Sequence, residues 1–469
     1  MTGNRFVDRE AELAALEEMW AREGAQFLAV YGRRRTGKTT LLLRFAQNRP
    51  YLYWVASRLS SDTLLRSFSR AVHNCAHPDA PAGPDFTYGD WDTALRQIAP
   101  LTRDQRLLVV LDEFPYAVDA EPGLPSILQN VWDHHLKSTQ VFLALAGSHV
   151  GMMEHEIGSY HAPLYGRATG RLLLHPLKFP AVREFLPRYS VVQQVETYTI
   201  LGGIPSYLEL WDDQYPVMGN VERMLSPTSL FLFDPPYLLG DELGKPRNYA
   251  AILMAIAGGK RTPTAISQAT GIGGQVSSYL NTLRSLRLVE RQVPATEPRP
   301  ETSRRGRYTV ADPYLRFYFR FLVPNLELIE QGRIGLVLEE IERNLPAFVG
   351  QTAFEDLCRA WVVAKGDAGQ LPFVPQRVGR WWDRHAEVDV VAVNSRDRAI
   401  LLGEARWTSR PMGTQTLEAL VAKADRAVPD RTWSVHYALF SRSGFTAGLQ
   451  EQAARSGVTL VDLTSVIDL

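Results

Sequence analysis

The segment Phe27–Leu42 reads FLAVYGRRRTGKTTLL, in which an apolar run precedes a glycine-bounded loop and a second apolar run follows it. Gly32, Gly37, Lys38 and Thr39 have the spacing of the P-loop pattern G-x-x-x-x-G-K-[ST]. The backbone N–H groups of such a loop curl around phosphate oxygens, and side chains at the two glycines would block that close approach. The sequence therefore predicts a strand, a phosphate-binding loop, and a helix whose N-terminus faces the same anion.

Two side chains of this loop have distinct roles in the pattern. Lys38 reaches the β- and γ-phosphates as a positive point charge, and Thr39 offers its hydroxyl group to Mg²⁺. We therefore expect the ligand to be ATP with Mg²⁺. The residues predicted to bind it are Gly32, Arg33, Arg34, Arg35, Thr36, Gly37, Lys38, Thr39 and Thr40. The alternative, an ordinary glycine-rich turn, is disfavoured by the apolar runs on both sides of the loop.

A second apolar run ends in two acidic residues. Leu107–Glu113 reads LLVVLDE, and a continuous apolar run of this kind is typical of a buried parallel strand. Asp112 would emerge at its C-terminal end, where an open α/β sheet binds ligands. Asp112 is then the predicted Walker B carboxylate that orients Mg²⁺ through water, and Glu113 is the candidate base that positions the attacking water. The alternative is a strand that ends in two solvated acids.

Further strands and loops complete the predicted nucleotide site. Tyr51–Val55 and Val141–Ala146 read as additional strands, and the second is followed by Ser148. A polar side chain at this position would reach the γ-phosphate and sense hydrolysis, so Ser148 is added to the predicted nucleotide ligands. Arg167 could be an arginine finger, although an ordinary surface arginine is the commoner explanation.

Composition and charge narrow the class of protein. The 469 residues are 45% hydrophobic and 22% charged, with 51 basic and 51 acidic side chains, so bulk charge predicts neither a nucleic-acid nor a membrane partner. No apolar run approaches the length of a membrane span, and no secretory signal is visible. Cys75 and Cys358 are too few for a cysteine-rich zinc site and indicate a reducing compartment. We expect a cytoplasmic protein without a membrane partner.

The middle of the chain has the pattern of a winged helix-turn-helix. Helices are predicted over 249–257, 264–271 and 275–286, followed by strands over 288–291 and 307–310 around a loop rich in proline and arginine. The residues expected to face a DNA groove are Gln275, Ser277, Ser278 and Asn281. The basic residues of the wing are Arg304, Arg305 and Arg307. Because the same module also serves as a spacer between proteins, double-stranded DNA and a protein partner both remain open.

A predicted hairpin near the C-terminus brings acidic side chains together. Segments 387–393 and 399–407 alternate as strands do, with a turn centred between residues 396 and 397. This register places Asp389 opposite Glu404. Residues two apart share a face, so four side chains should project together: Glu387, Asp389, Glu404 and Arg406.

Two chemical interpretations of this hairpin are open. Two facing acids repel unless a cation lies between them, and hard oxygen ligands with room for water suit Mg²⁺ or Mn²⁺. This interpretation makes Asp389 and Glu404 metal ligands. The alternative is a solvated hairpin with an ordinary cross-strand pair between Glu387 and Arg406.

Motifs along the chain together resemble those of the archaeal-type ATPase family, a clade of the STAND NTPases within the AAA-like ASCE class. The N-terminal motifs are GRRRTGKTTLL, LLVVLDEF, AGSHVGMM and LYGRATGRL. Members of this family carry a P-loop ATPase domain, a winged helix and a C-terminal PD-(D/E)xK-like domain in series. The C-terminal motifs here are GQTAFEDL, AEVDVVAV, LLGEARW and FSRSGF. The resemblance covers nearly the whole chain.

The resemblance implies an α/β fold with four parts. These are an ASCE-type P-loop parallel-sheet domain with a helical extension (1–235), a winged helix-turn-helix (236–323), a helical linker (324–350) and an α/β restriction-endonuclease-like domain (351–469). It also implies that Glu355 is a helix carboxylate beside the metal ligands, and that Arg406 takes the position of the family's lysine. Since arginine in practice keeps its proton, Arg406 could stabilise a phosphorane charge but could not act as the base.

Three functions remain open on the sequence. The first is an ATP-hydrolysing switch that controls a DNA-cleaving C-terminal domain. The second is an ATP-dependent regulator or scaffold with a catalytically inactive nuclease-like domain, and the third is a signalling ATPase that assembles on a protein partner or as a homo-oligomer. The predicted catalytic residues are Glu113, Asp112, Lys38, Asp389, Glu404 and Arg406. The predicted metal ligands are Thr39, Asp112, Asp389 and Glu404.

Overall fold

The computed structural model describes residues 6–243 and 246–468. The chain divides into two compact units. The N-terminal unit comprises Met1–Leu177 with Ile204–Ser206, and the C-terminal unit comprises Lys178–Gly203 with Tyr207–Leu469. The helical extension after Leu177 falls in the C-terminal unit, and the domain bounds expected from the sequence stay predictions. No helix of the described residues is long and apolar enough to cross a membrane.

A five-stranded parallel sheet forms the centre of the N-terminal unit. Its strands are β1 (Gln26–Tyr31), β2 (Tyr51–Val55), β3 (Leu107–Asp112), β4 (Val141–Gly147) and β5 (Gly170–Leu173). They lie in the order β2-β3-β4-β1-β5, and every neighbouring pair is parallel. The predicted strands over 27–31, 51–55, 107–112 and 141–146 are thereby confirmed. The carboxyl ends of β1, β3 and β4 meet at one edge, where such a sheet binds ligands.

Both faces of this sheet are covered, which explains the continuous apolar runs. Along β1, Phe27 and Ala29 belong to one buried core, whereas Leu28 and Val30 belong to a second core on the other face. The helices of the unit are Glu10–Ala21, Lys38–Ala46, Ser61–Ala76, Trp91–Arg96, Phe114–Ala120, Leu124–Val131 and Val150–Gly158, with a 3₁₀ turn at Ala99–Thr102 and a π-helical turn at Trp132–Leu136.

The C-terminal unit begins with helices. They are Phe179–Phe185, Val191–Leu201, Pro205–Leu208 (which starts in the N-terminal unit), Val217–Met224 and Leu230–Glu242. The boundary expected between residues 235 and 236 falls inside the last of these helices, which contains Pro235 and Pro236. Proline lacks the N–H that would bond four residues back, so Pro235 leaves the carbonyl of Phe231 without its usual donor. The hydroxyl of Tyr314 donates to that carbonyl instead, which lets the helix continue.

Three helices and a two-stranded antiparallel sheet follow, and we call residues 246–310 the helix–hairpin module. The helices are Pro246–Ala257, Pro263–Thr270 and Val276–Ser285, and the strands are β6 (Val289–Gln292) and β7 (Arg307–Val310). Within the third helix, Val276, Leu280 and Leu283 are buried, as the helical spacing predicts. The elements predicted for a winged helix are therefore all present in their expected order.

A nearly continuous helical stretch joins the module to the last sheet. It comprises Pro313–Phe317, Tyr318–Leu322, Val323–Asn325, Leu326–Glu330, Ile334–Val349, Gly350–Phe354 and Glu355–Asp367. Helix Ile334–Val349 runs through the π-helical turn at Gly350–Phe354 into the next helix without a break. The chain is therefore helical across the domain boundary expected between 350 and 351.

The chain ends in a mixed five-stranded sheet. Its strands are β8 (Arg377–Trp382), β9 (Glu387–Asn394), β10 (Ala399–Arg406), β11 (Ser434–Ser441) and β12 (Thr459–Asp462), in the order β12-β11-β10-β9-β8. β9 is antiparallel to both of its neighbours, β8 and β10, whereas β11 is parallel to both β10 and β12. The remaining helices are Thr414–Ala427, Ala447–Ser456 and Leu463–Ile467.

Candidate active site

The P-loop follows β1 directly and ends in the helix Lys38–Ala46. Gly32 has φ +156°, and a Cβ atom there would overlap the carbonyl oxygen of Leu174. Gly37 has φ +93° and caps the helix in a left-handed conformation. The backbone conformation therefore requires glycine at both positions of the pattern. The N-terminus of the helix begins where the loop ends, as in other anion-binding loops.

Arg9, just before the first helix, holds this loop from outside. Its guanidinium donates to the carbonyl oxygen of Thr36 at 3.0 Å and to that of His175 at 2.7 Å. It also pairs with Glu12 at 2.8 Å. Arg9 is only 6% exposed, so these bonds are little screened by water.

Lys38 is buried and lies across the loop. Its ammonium group donates to the carbonyl oxygen of Gly32 at 2.8 Å and to that of Arg33 at 3.0 Å. Thr36 is also buried and donates to Arg33 at 2.9 Å. These hydrogen bonds keep the loop curled around the Lys38 ammonium group. Of the neighbouring predicted residues, Arg34 donates to the hydroxyl of Tyr116, while Arg35 has φ +68° and Thr40 lies half-buried in the helix.

The structure brings Thr39 and Asp112 together. The Thr39 hydroxyl donates to Asp112 Oδ2 at 2.8 Å, and the backbone N–H of Glu113 donates to Oδ1 at 2.9 Å. Tyr53, at the end of β2, donates its hydroxyl to the same Oδ2. Burial, followed by the hydrogen bond to Asp112, raises the pKa of Tyr53, so the phenol keeps its proton. A hydroxyl and a carboxylate in contact are a suitable donor set for Mg²⁺, which takes few protein oxygens beside phosphate and water.

Glu113 and Ser148 also meet. The Ser148 hydroxyl donates to Glu113 Oε2 at 2.7 Å, and the Ser148 backbone N–H donates to the same oxygen at 3.2 Å. Glu113 has φ +50°, an uncommon conformation for a residue with a side chain. Such outliers are concentrated at functional sites, where the surrounding structure imposes them. Here the strained turn between β3 and the next helix directs the carboxylate toward the end of β4.

Arg167 is held within the N-terminal unit. Its guanidinium pairs with Asp133 at 2.7 Å and donates to the carbonyl oxygen of Pro163 at 2.8 Å. This arrangement favours the surface-arginine interpretation over the arginine finger.

In the C-terminal sheet, the observed register agrees with the predicted one. Asn394 pairs with Ala399 and Val390 pairs with Gly403, so Asp389 and Glu404 are the next residues along. Asp389 Oδ2 accepts from the backbone N–H of Ala405 at 3.1 Å. The hairpin was thus placed correctly by alternation and by the position of its turn.

Glu404 is buried between two basic groups. Arg406 lies 2.7 Å from Oε1, and Lys423 donates to Oε2 at 2.9 Å. Burial, followed by the nearby charge of Asp389, raises the pKa of Glu404, and the two cations oppose this shift. Lys423 was missed because it comes from helix Thr414–Ala427, which no motif marks. The Glu404 carboxylate therefore has a lysine as a neighbour, but this lysine comes from a helix, whereas Arg406 comes from β10.

Glu355 is likewise buried against arginines. Arg380 lies 2.7 Å from Glu355 Oε2, and Arg359 lies 3.4 Å from it. Arg359 also donates to the backbone carbonyl of Asp389 at 2.8 Å. Burial raises the pKa of Glu355 to about 7 against the opposing effect of Arg380. Arg359 therefore links the Glu355 carboxylate to the backbone of the strand that carries Asp389.

These carboxylates do not form a ready three-ligand metal cluster. Across residues 6–243 and 246–468, no group of three or more His, Cys, Asp or Glu side chains is arranged to hold a metal ion. A site that includes Glu355 would need the arginines and Lys423 to move. Metal binding by Asp389 and Glu404 stays a prediction.

The alternative interpretation, a cross-strand ion pair between Glu387 and Arg406, is not what the structure shows. Arg406 contacts Glu404, and Glu387 accepts a hydrogen bond from Arg307 of the helix–hairpin module. Arg305 of the same module donates to the backbone carbonyl of Trp382. Two of the three wing arginines predicted to contact DNA are thus engaged with the C-terminal sheet, whereas Arg304 is exposed.

The parallel sheet, the P-loop and the acidic pair at the end of β3 define a P-loop ATPase. Comparison with known proteins agrees. An ATPase domain described as predominantly from Archaea matches residues 6–210, and a domain described as archaeal and bacterial proteins of unknown function matches residues 318–419. An uncharacterized protein of Methanocaldococcus jannaschii is 34% identical over 406 residues, which cover 86% of this chain and 87% of the relative. The chain belongs to this family of archaeal ATPases.

Two solved structures extend the comparison. A Walker-type ATPase of Pyrococcus abyssi is 20% identical with a TM-score of 0.52, and the match covers 67% of this chain and 96% of that one. The ORC2 protein of Aeropyrum pernix, solved as ADPNP and ADP complexes, is 15% identical with a TM-score of 0.46 over 71% of this chain and 97% of that one. The first likeness shows a shared fold.

Proposed function

We propose that the chain hydrolyses ATP with Mg²⁺ and uses the cycle as a switch for its C-terminal unit. The observation that carries the proposal is the contact between Thr39 and Asp112, with Oγ1 and Oδ2 2.8 Å apart at the mouth of the P-loop. A hydroxyl from the loop and a carboxylate from β3 are the pair of oxygen donors that Mg²⁺ beside a nucleotide requires. Family membership supports the same activity.

Each residue then has a stated task. Mg²⁺, when bound, would neutralise charge on the β- and γ-phosphates. Lys38 contributes a second positive charge, and the N–H groups of the loop bind phosphate oxygens. Glu113 orients the attacking water and accepts its proton, while Ser148 holds the Glu113 carboxylate through two hydrogen bonds. Asp112 keeps its orientation because the Glu113 N–H and the Tyr53 hydroxyl both donate to it.

A steady-state phosphate-release assay on the full chain tests this proposal. Glu113→Gln should lower kcat at least about 100-fold while leaving ATP affinity within about two-fold, because only the carboxylate acts on water. Lys38→Ala should instead weaken ATP binding. Asp119→Asn is the matched control, since Asp119 is an exposed acid on the helix that follows Glu113. Full turnover by Glu113→Gln would contradict the assignment.

For the C-terminal unit we propose DNA binding through the helix–hairpin module, taken as a winged helix. Helix Val276–Ser285 and its preceding residue offer an exposed polar face, opposite the buried face that holds the module together. Its exposed members are Gln275, Ser277, Ser278 and Asn281. Short polar side chains on one helix face are the groups that reach base edges in a major groove. A protein partner on the same face is the alternative.

DNA cleavage by the C-terminal sheet is a second candidate function. The observation in its favour is Lys423 beside Glu404, since lysine can transfer a proton where Arg406 cannot. Asp389 and Glu404 would hold Mg²⁺ or Mn²⁺. Purified protein incubated with plasmid and either metal, with and without ATP, tests it. Nicking should disappear in Asp389→Ala and in Lys423→Ala, and persist in Arg406→Lys. The absence of nicking under all conditions would favour the regulator with an inactive nuclease-like domain.

A further inference from the structure

A cavity of about 300 Å³ in the C-terminal unit has four arginines among its lining residues. They come from separate parts of the chain: Arg261 of the helix–hairpin module, Arg316 and Arg320 of the helical stretch that follows, and Arg380 of β8. Asn344 also lines the cavity. Neither the ATPase site nor the hairpin with Asp389 contributes to it.

The charge of this cavity is unbalanced. Among its lining residues in the described chain, Asp356 is the single acid, set against four arginines. Arg316 lies 3.6 Å from Asp356 and donates twice to the carbonyl oxygen of Val310, at 3.1 and 3.0 Å. Arg380 is matched by Glu355 at 2.7 Å. Arg261 makes a long contact of 3.8 Å to Glu387, so a net positive charge remains among these lining residues.

Arg320 carries most of that excess. Its guanidinium lies 5.3 Å from the ring centre of Phe321, and no carboxylate of residues 6–243 or 246–468 lies within ion-pair distance of it. The side chain is half-buried on the cavity wall. A half-buried cation held only by a ring face gains much from an anion, because the surroundings screen the interaction less than bulk water does.

We propose that this cavity binds a small phosphate-bearing anion. Guanidinium groups match phosphate oxygens with paired N–H donors, and several arginines directed at one space favour an ion with more than one negative charge. The volume is at the lower end for small-molecule sites, which suits a phosphate or pyrophosphate group rather than a long polymer. The bound anion would bridge the module and the strand that bears Arg380, and so would stiffen the C-terminal unit.

Calorimetric titration of pyrophosphate into the full-length Lys38→Ala variant tests the proposal. This background weakens phosphate binding at the P-loop, so the result does not depend on ATP hydrolysis. We expect saturable binding that Arg320→Gln weakens at least about ten-fold, which corresponds to about 1.4 kcal/mol. Arg343→Gln is the matched control, because Arg343 is an exposed arginine on the adjoining helix outside the cavity, and it should change nothing.

A second variant and a second ligand complete the experiment. If Arg320→Gln does not fold by circular dichroism, Arg261→Gln replaces it and should weaken pyrophosphate binding at least about three-fold, or about 0.7 kcal/mol. A short DNA duplex at matched ionic strength tests the other source of phosphate. The proposal is overturned if pyrophosphate does not bind, if it binds equally to the arginine variants, or if only the duplex binding depends on Arg320.

Discussion

Arg307 of the helix–hairpin module donates a hydrogen bond to Glu387 at the start of β9, and its guanidinium lies 4.7 Å from the ring centre of Trp382. Arg261 approaches the same carboxylate at 3.8 Å. The backbone N–H of Ala295, in the loop between β6 and β7, donates to the carbonyl of Arg380 at 2.8 Å. The module's loop therefore pairs with an edge strand of the C-terminal sheet, and its basic residues serve this contact.

This pairing changes the expected salt dependence of DNA binding. Every phosphate that the protein no longer neutralises should reduce the slope of log affinity against log salt by about 0.9. Because Arg305 and Arg307 already bind Trp382 and Glu387, only Arg304 is free to contact phosphate. Arg304→Ala should lower the slope by about one unit, and the triple alanine variant by little more. Fluorescence anisotropy over a salt series measures this, and a three-unit decrease in the triple variant would show that the module separates from the sheet on DNA.

The hydrogen bonds from Ser148 to Glu113 predict an intermediate kinetic effect. Ser148→Ala removes the hydroxyl donor at 2.7 Å but keeps the backbone donor at 3.2 Å. A hydrogen bond to a charged group is worth about 1.5–3 kcal/mol, so kcat should fall roughly 10-fold or more. ATP affinity should stay within about two-fold. Equal losses in affinity and kcat would instead indicate that Ser148 binds the nucleotide directly.

Gly32 should be intolerant of any side chain. Its φ of +156° brings the position of a Cβ atom into overlap with the Leu174 carbonyl, and a backbone atom cannot move aside as a side chain can. Gly32→Ala should lower the free energy of unfolding by about 2–4 kcal/mol and prevent ATP binding. Thermal unfolding with and without ATP measures both effects. Gly89→Ala is the control, since no atom lies within 4 Å of its Cβ position, and a similar destabilisation there would remove the steric explanation.

Local patterns predicted the strands and the hairpin register well. The alternation of residues on either side of the 396–397 turn was enough to pair Asn394 with Ala399. The parallel strands were equally clear, because burial on both faces leaves a continuous apolar run such as β3. In both cases the residues that carry the pattern belong to the element itself or to the turn next to it.

Contacts between distant segments were not predictable in the same way. Lys423 contacts Glu404 although it lies 19 residues later in the sequence, and Arg307 contacts Glu387 across 80 residues. Nothing in the residue pattern distinguishes such a cation from a solvated one. The passage of a helix through Pro235 depended equally on a remote group, the hydroxyl of Tyr314. Sequence rules for charged residues and for proline consider only residues nearby in the sequence. The two ion pairs and the continued helix depend instead on residues that are distant in the sequence.

Glu355 gives a prediction about pH and stability. Burial raises its pKa to about 7 in the folded chain, against 4.5 for the free side chain. Below pH 4.5 the group is protonated in both states. As pH rises toward 7 the unfolded chain releases the proton while the folded chain retains it, so this contribution to stability is lost as pH rises. The wild type should therefore lose stability between pH 5 and pH 8 relative to Glu355→Gln, by up to about 3 kcal/mol.

Urea unfolding at a series of pH values measures this difference. Glu355→Gln also leaves Arg380 without its carboxylate, but that cost does not depend on pH over this range, so the slope is the quantity to compare. Glu342→Gln serves as the control, because Glu342 is an exposed glutamate on the preceding helix, and its curve should run parallel to that of the wild type. Parallel curves for Glu355→Gln as well would mean that the two arginines keep the buried carboxylate ionised across this pH range.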